Sequence, residues 1–170
     1  MKKLLIVIDM QNDFITGALG SSQAQAIVPF VKEKLEEYKD AGVLFTKDTH
    51  FENYLETQEG KNLPVPHCIK GTGGWEIIPE ISQYANDIYE KKSFGDTDFP
   101  AYIAKYEPDE IELCGVCTDI CVVSNALILK AYFPEMKISV DAKCCAGVSE
   151  ESHKAALLTM KMCQIGVKND

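Results

Sequence analysis

Four short stretches of this sequence place reactive side chains directly after apolar runs. Ile8-Asp9-Met10-Gln11-Asn12-Asp13-Phe14 offers an acid and Lys47-Asp48-Thr49-His50 an acid with a histidine. Glu90-Lys91-Lys92-Ser93 offers a lysine, and Gly115-Val116-Cys117-Thr118-Asp119-Ile120-Cys121 a cysteine. A thiol with an ammonium and a carboxylate is equipped for acyl transfer. The sulfur attacks a carbonyl, the acid carries a proton to the leaving amine, and free N–H groups at a helix start hold the oxyanion. Cys121 falls about one turn into a helix that Thr118 is placed to cap, where the helix dipole and a nearby lysine both favour a thiolate.

A second constellation comprises Asp48, His50 and His67, an acid and a histidine two apart plus a histidine from a Pro-rich loop. Oxygen and nitrogen donors of this kind suit a divalent metal, and three protein ligands with open positions describe a functional rather than a structural site. Glu59, ahead of Glu56, is placed to add a fourth ligand. Each residue also has an ordinary role: an early helix cysteine is more often core than catalyst, and a loop histidine commonly bonds backbone. Convergence on one rim is what gives them weight. Cys114-x-x-Cys117-x-x-x-Cys121 also fits a thiolate cluster or redox pair, but a strand cysteine and a helix cysteine should not converge on one ion. His153, on the last predicted helix, reads as a surface or capping residue.

The elements that position these side chains alternate. Leu4–Ile8 is a continuous apolar run, as in a strand covered on both faces. Ile27, Val28, Val31, Leu35 and Tyr38 recur at helical spacing within 24–40. Further strands are expected at 43–46, around 88–89, at 111–114, 137–140 and 164–167, with helices at 97–105, 118–133 and 150–163. Strand–helix alternation implies right-handed crossovers and a parallel sheet, with ligands outside the carboxyl ends of the strands. The stretch 50–75, rich in Pro and Gly, is too long for an idle connection.

The chain's 170 residues fit one domain spanning 1–170, long enough to bury a core without disulfides. Its charge is 17 − 26 = −9, and every cation is a lysine. A phosphate-tracking protein needs a basic stripe and favours arginine, so no nucleic-acid partner is expected. No run approaches ~18 apolar residues, so no membrane span is expected. Met1–Ile8 imitates a signal peptide, but Asp9 interrupts it and no small-residue cleavage site comes after it. Seven cysteines, odd in number and scattered in spacing, fit free thiols in a reducing cytoplasm.

These motifs together resemble the isochorismatase-like cysteine hydrolases, and within them the nicotinamidase branch. Gly115-Val116-Cys117-Thr118-Asp119-Ile120-Cys121-Val122 is similar to the family's nucleophile segment, and Asp48-Thr49-His50 with Pro66-His67-Cys68 and Gly71-Thr72 to its metal loop. The resemblance implies a three-layer α/β/α fold with a six-stranded, mostly parallel sheet in the order 3-2-1-4-5-6. It implies a triad of Asp9, Lys91 and Cys121, with Lys91 preferred to Lys92 because Glu90-Lys91-x-Ser93-Phe94-Gly95 resembles a shorter family variant. It further implies a cis bond between Val116 and Cys117, an oxyanion hole from the Cys117 and Cys121 N–H groups, and Phe14 stacking on a flat substrate. Asp48, His50 and His67 would hold zinc foremost, or iron or manganese. The implied reaction is hydrolysis of nicotinamide to nicotinate and ammonia, in pyridine-nucleotide salvage, by a protein that is often a dimer or tetramer in this family. Two departures stand out: the lysine motif is compressed, and Leu63-Pro64-Val65-Pro66 replaces the tryptophan that often precedes the second metal histidine. The alternatives are a metal-free relative acting on a carbamoyl or ureido compound or an isochorismate-like vinyl ether, a non-enzymatic binding module, and a thiol-redox protein using Cys114 and Cys117.

Overall fold

A computed structural model describes residues 1–170. Six strands form one sheet in the order β3-β2-β1-β4-β5-β6, and every neighbouring pair is parallel. They are β1 (Lys3–Ile8), β2 (Gly42–Asp48), β3 (Ile88–Lys91), β4 (Glu110–Val116), β5 (Lys137–Ala146) and β6 (Gly166–Lys168). The helices are α1 (Asn12–Ile15), α2 (Ser22–Glu37), α3 (Gln58–Asn62), α4 (Phe99–Ile103), α5 (Val123–Tyr132) and α6 (Glu150–Met162). Leu4 to Ile8 are all buried because β1 is central and covered on both faces, which is why its sequence lacks alternation. Helix α2 starts where the Ser21 side chain accepts the Ala24 N–H, and it buries Ala24, Ile27, Val31 and Leu35. No helix is long and apolar enough to cross a membrane.

Three predicted elements differ. The helix predicted over 118–133 begins as a π-helical turn, Thr118–Val122, before α5. Strand β5 runs on past Val140 to Ala146, with a register shift opposite Leu113 and Gly115. Asp141 breaks the apolar pattern there, but it is buried because Lys34 reaches it from α2 at 2.8 Å. The same ammonium lies 3.0 Å from Glu112, which also accepts from Tyr38 and pairs with Lys168. The 50–75 stretch is not a bare loop: it holds α3 and two 3₁₀ turns, Tyr54–Glu56 and Gly73–Trp75.

Candidate active site and metal centre

The carboxyl ends of β1 to β4 lie side by side, so the residues just beyond each of these strands meet at one rim. Asp48 is the in-register neighbour of Lys91, and Ile8 that of Gly115. Gly115 has φ +113°, and a Cβ there would sit 2.1 Å from the Ile8 carbonyl oxygen, so only glycine lets β4 close onto β1 beside Asp9. Asp9 itself has φ +48°, a left-handed conformation that turns its side chain out of the strand. Thr46 holds it there, accepting the Asp9 N–H at 3.1 Å and donating to Oδ1 at 2.6 Å.

Lys91 is fully buried and is the centre of the site. Its Nζ lies 2.7 Å from Asp9 Oδ2, 3.1 Å from Asp48 Oδ1 and 3.4 Å from Cys121 Sγ, and it donates to the Ser93 carbonyl at 3.1 Å. Burial alone would lower its pKa, but Asp9, Cys121 and Asp48 together raise it well above the ordinary lysine value. Lys92 is exposed and takes no part.

Burial pushes the Asp9 carboxyl above the usual range; Lys91 opposes this and Asp48 adds to it. Burial likewise pushes the Cys121 thiol well up, against Lys91 and with Asp9 and Asp48. This corrects the expectation of a thiolate favoured by a helix start. Cys121 is 4 % exposed, sits in a π turn rather than at an α-helical N-terminus, and has two carboxylates facing it. A neutral thiol beside a buried carboxylate of raised pKa is an acid paired with a competent base.

The Val116–Cys117 peptide bond is cis. Phe14 is half-buried, its ring edge-on to His67 at 5.5 Å.

Asp48, His50, Glu59 and His67 present one ligand atom each, all within 4.8 Å of one another. His50 Nε2 lies 3.0 Å from Asp48 Oδ2 and 3.4 Å from Glu59 Oε1, and His67 Nε2 lies 3.8 and 3.5 Å from the same atoms. Ligands about 2.0–2.2 Å from one ion stand about 3.0–3.5 Å apart, so this donor set fits a divalent metal. His67 Nδ1 is 2.8 Å from the Val65 carbonyl, which only an Nδ1–H can satisfy, leaving Nε2 as the free lone pair. Burial works against a proton on His50, but Asp48 and Glu59 lift its pKa to about 9, the mark of a pocket rich in negative charge. Glu56 is exposed and outside the cluster.

Several further residues position these groups, and all but one of them lack a signature that residue type or spacing could supply. Gln11 is buried and brackets Asp48, accepting its N–H at 2.8 Å and donating to its carbonyl at 2.9 Å. Asp13 accepts the Cys68 N–H at 2.8 Å, next to His67. Tyr54 packs edge-on against His50 and His67, with centroids 4.9 and 5.1 Å away, and donates to the Leu63 carbonyl at 2.8 Å. Asn125, one turn beyond Cys121, donates to the Cys121 and Phe94 carbonyls, both at 2.8 Å, and accepts the Asp96 N–H. A buried Asn within an apolar helix was the one visible sign among them. The seven cysteines form no disulfide.

A six-stranded parallel α/β sheet with a cysteine, an acid and a lysine converging at its carboxyl edge defines a class of cysteine hydrolases. The isochorismatase domain matches residues 3–168, and the chain belongs to the isochorismatase family. It is 32% identical to an isochorismatase family protein of Bacillus subtilis, over 92% of this chain and 93% of that one. It is 29% identical to a nicotinamidase of Schizosaccharomyces pombe, over 96% of this chain and 91% of the relative. The pyrazinamidase of Pyrococcus horikoshii, solved in complex with zinc, superposes with a TM-score of 0.84 at 28% identity, covering 98% of each chain.

Proposed function

We propose that this protein hydrolyses the amide C–N bond of a small, flat, neutral carboxamide, with nicotinamide the leading substrate. The observation that carries this is one buried ammonium touching Asp9 at 2.7 Å and Cys121 at 3.4 Å. The likeness to a nicotinamidase and to a pyrazinamidase supports the substrate class. The low exposure of Cys121, Asp9 and Lys91 suits a small substrate. A chain without arginine suits a neutral one.

Asp9 takes the thiol proton as Cys121 Sγ bonds to the amide carbon, and the carbonyl π electrons move to oxygen. The Cys117 and Cys121 N–H groups hold that oxyanion. Asp9 passes the proton to nitrogen, the C–N bond breaks, and ammonia leaves a thioester on Cys121. Asp9 then deprotonates a water that attacks the thioester, and the thiol reforms as the acid departs. Lys91 keeps Asp9 and the sulfur in place and offsets the charge that develops between them. Phe14 stacks on the flat ring. Asp48, His50, Glu59 and His67 would hold a divalent metal, zinc by similarity, and when bound it would supply Lewis-acid character for binding the substrate. The same four-donor cluster disfavours the metal-free relative acting on a carbamoyl compound or vinyl ether.

The test is ammonia release from a panel of primary amides, with and without added zinc or manganese. Nicotinamide should lead the panel, and Cys121→Ala should stay folded and lose at least about 1,000-fold in rate. Turnover surviving in that variant would overturn the triad.

A further inference from the structure

The π turn that carries Cys121 is held from outside the site. Thr118, its first residue, is fully buried, and its hydroxyl shares a 2.8 Å hydrogen bond with His153 Nδ1 on α6. Asp119 accepts the Val148 N–H on both carboxylate oxygens, at 3.2 and 3.1 Å. Gly147 makes room for this contact: a Cβ there would lie 2.9 Å from the His153 Cβ and 3.2 Å from Asp119 Oδ1. Within the turn, the Cys117 carbonyl accepts from both Ile120 and Val122, and the Val123 N–H is divided between the Ile120 and Thr118 carbonyls. Wide turns of this kind have poorer internal geometry than α-helix and recur at functional sites, so side-chain supports decide where the nucleophile stands.

We propose that His153 is a positioning residue for the reaction, which through Thr118 sets the placement of Cys121 against Asp9 and Lys91. This rests on Cys121 being the nucleophile. Burial holds the His153 pKa below its ordinary value, so the imidazole is neutral at pH 7 and shares its bond with Thr118 without adding a charge beside the turn. His153 also lines a solvent-open depression of about 200 Å³ with Gln23, Ile27 and Glu150, so a shorter side chain admits water there rather than leaving a dry void.

The experiment compares wild type with His153→Leu, His153→Asn, Thr118→Val and the double variant H153L/T118V. Three readouts are taken: kcat and KM for nicotinamide, thermal midpoint, and the rate at which iodoacetamide alkylates Cys121, followed by mass. Displacement of a nucleophile by a fraction of an ångström predicts a kcat about 10-fold lower in H153L, with KM within 2-fold and a matching fall in alkylation. H153N, which keeps a polar atom near the Nδ1 position, should retain at least about half of both rates. T118V should match H153L, and the double variant should be no worse than either single one, because both remove the same bond. A wild type that releases no ammonia from nicotinamide or from any other primary amide of the panel overturns the functional proposal and this inference with it. An active wild type whose kcat and alkylation rate H153L and T118V leave unchanged overturns the inference alone. Rates that fall only in step with the thermal midpoint, with H153N no better than H153L, also overturn it.

Discussion

Replacing Lys91 by methionine removes the one cation among three buried groups while keeping most of the side-chain volume. Asp48 retains His50 at 3.0 Å, but Asp9 is left with the Thr46 hydroxyl and the Cys121 thiol, neither of them a cation. Burial and Asp48 already push the Asp9 carboxyl up, and Lys91 is the influence that opposes them. In the variant, Asp9 therefore takes up a proton in the folded state and releases it on unfolding. Protonating a carboxyl of ordinary pKa 3.8 at pH 7 takes about 4 kcal/mol, which is the most this group can cost. For a chain of this size each kcal/mol is about 2–4 °C, so the midpoint should fall by up to about 8–16 °C. The sign comes from the raised pKa: the folded variant binds the extra proton, so its deficit grows with pH above the unfolded value and shrinks below it. At pH 5 the deficit should be no more than about 2 kcal/mol. Thermal unfolding of both proteins at pH 5 and 7.5 measures the gap, and alkylation of Cys121 reports the site. A gap that stays constant across that range, with alkylation at the wild-type rate, would refute the placement of Lys91 as the charge that keeps Asp9 ionised.

His50→Ala should lower metal affinity at least about 10-fold by elemental analysis and chelator competition, and raise KM for the amide more than Cys117→Ala does. Stoichiometric metal in the purified variant would count against the four-donor site. Asn125→Leu leaves the Cys121 and Phe94 carbonyls and the Asp96 N–H without their partner, so urea unfolding should show a loss of at least about 2 kcal/mol. A loss under about 0.5 kcal/mol would show that water replaces it. Lys34 lies between buried Glu112 and Asp141. Burial favours a neutral Glu112, but Lys168 and Lys34 hold its pKa below the ordinary 4.5. Its contribution is thus present above 4.5 and fades as pH falls through the lower folded value. Lys34→Met should cost about 3–5 kcal/mol at pH 7, and its gap to wild type should narrow as pH falls below 4.5, as read by denaturant titration across that range.

Unbroken apolar runs such as Leu4–Ile8 announced buried parallel strands, and that made the fold and the common rim legible in the sequence. Asp9, Asp48 and Cys121 were findable because each comes soon after such a run, whereas Lys91 comes after the short Ile88-Tyr89 pair and is singled out from Lys92 only by the family resemblance. The features that escaped notice depend on contacts between distant segments. Gln11 and Asp48 are 37 residues apart, and nothing in either segment foretells their paired hydrogen bonds. The extension of β5 was hidden because Asp141 reads as a break until Lys34 is seen beside it. The π turn eluded periodicity because one extra residue in a helical turn leaves the apolar pattern of α5 intact.

Asp48 bears on how any mutational dissection of this protein must be designed. One of its oxygens faces the buried ammonium and the other faces the imidazoles. On the proposed function, removing that carboxylate would disable the hydrolytic half and the cation-binding half in a single stroke, so an inactive Asp48 variant is no evidence that the ion takes part in turnover. The two halves come apart only at side chains belonging to one of them, the histidines on one hand and the thiol on the other.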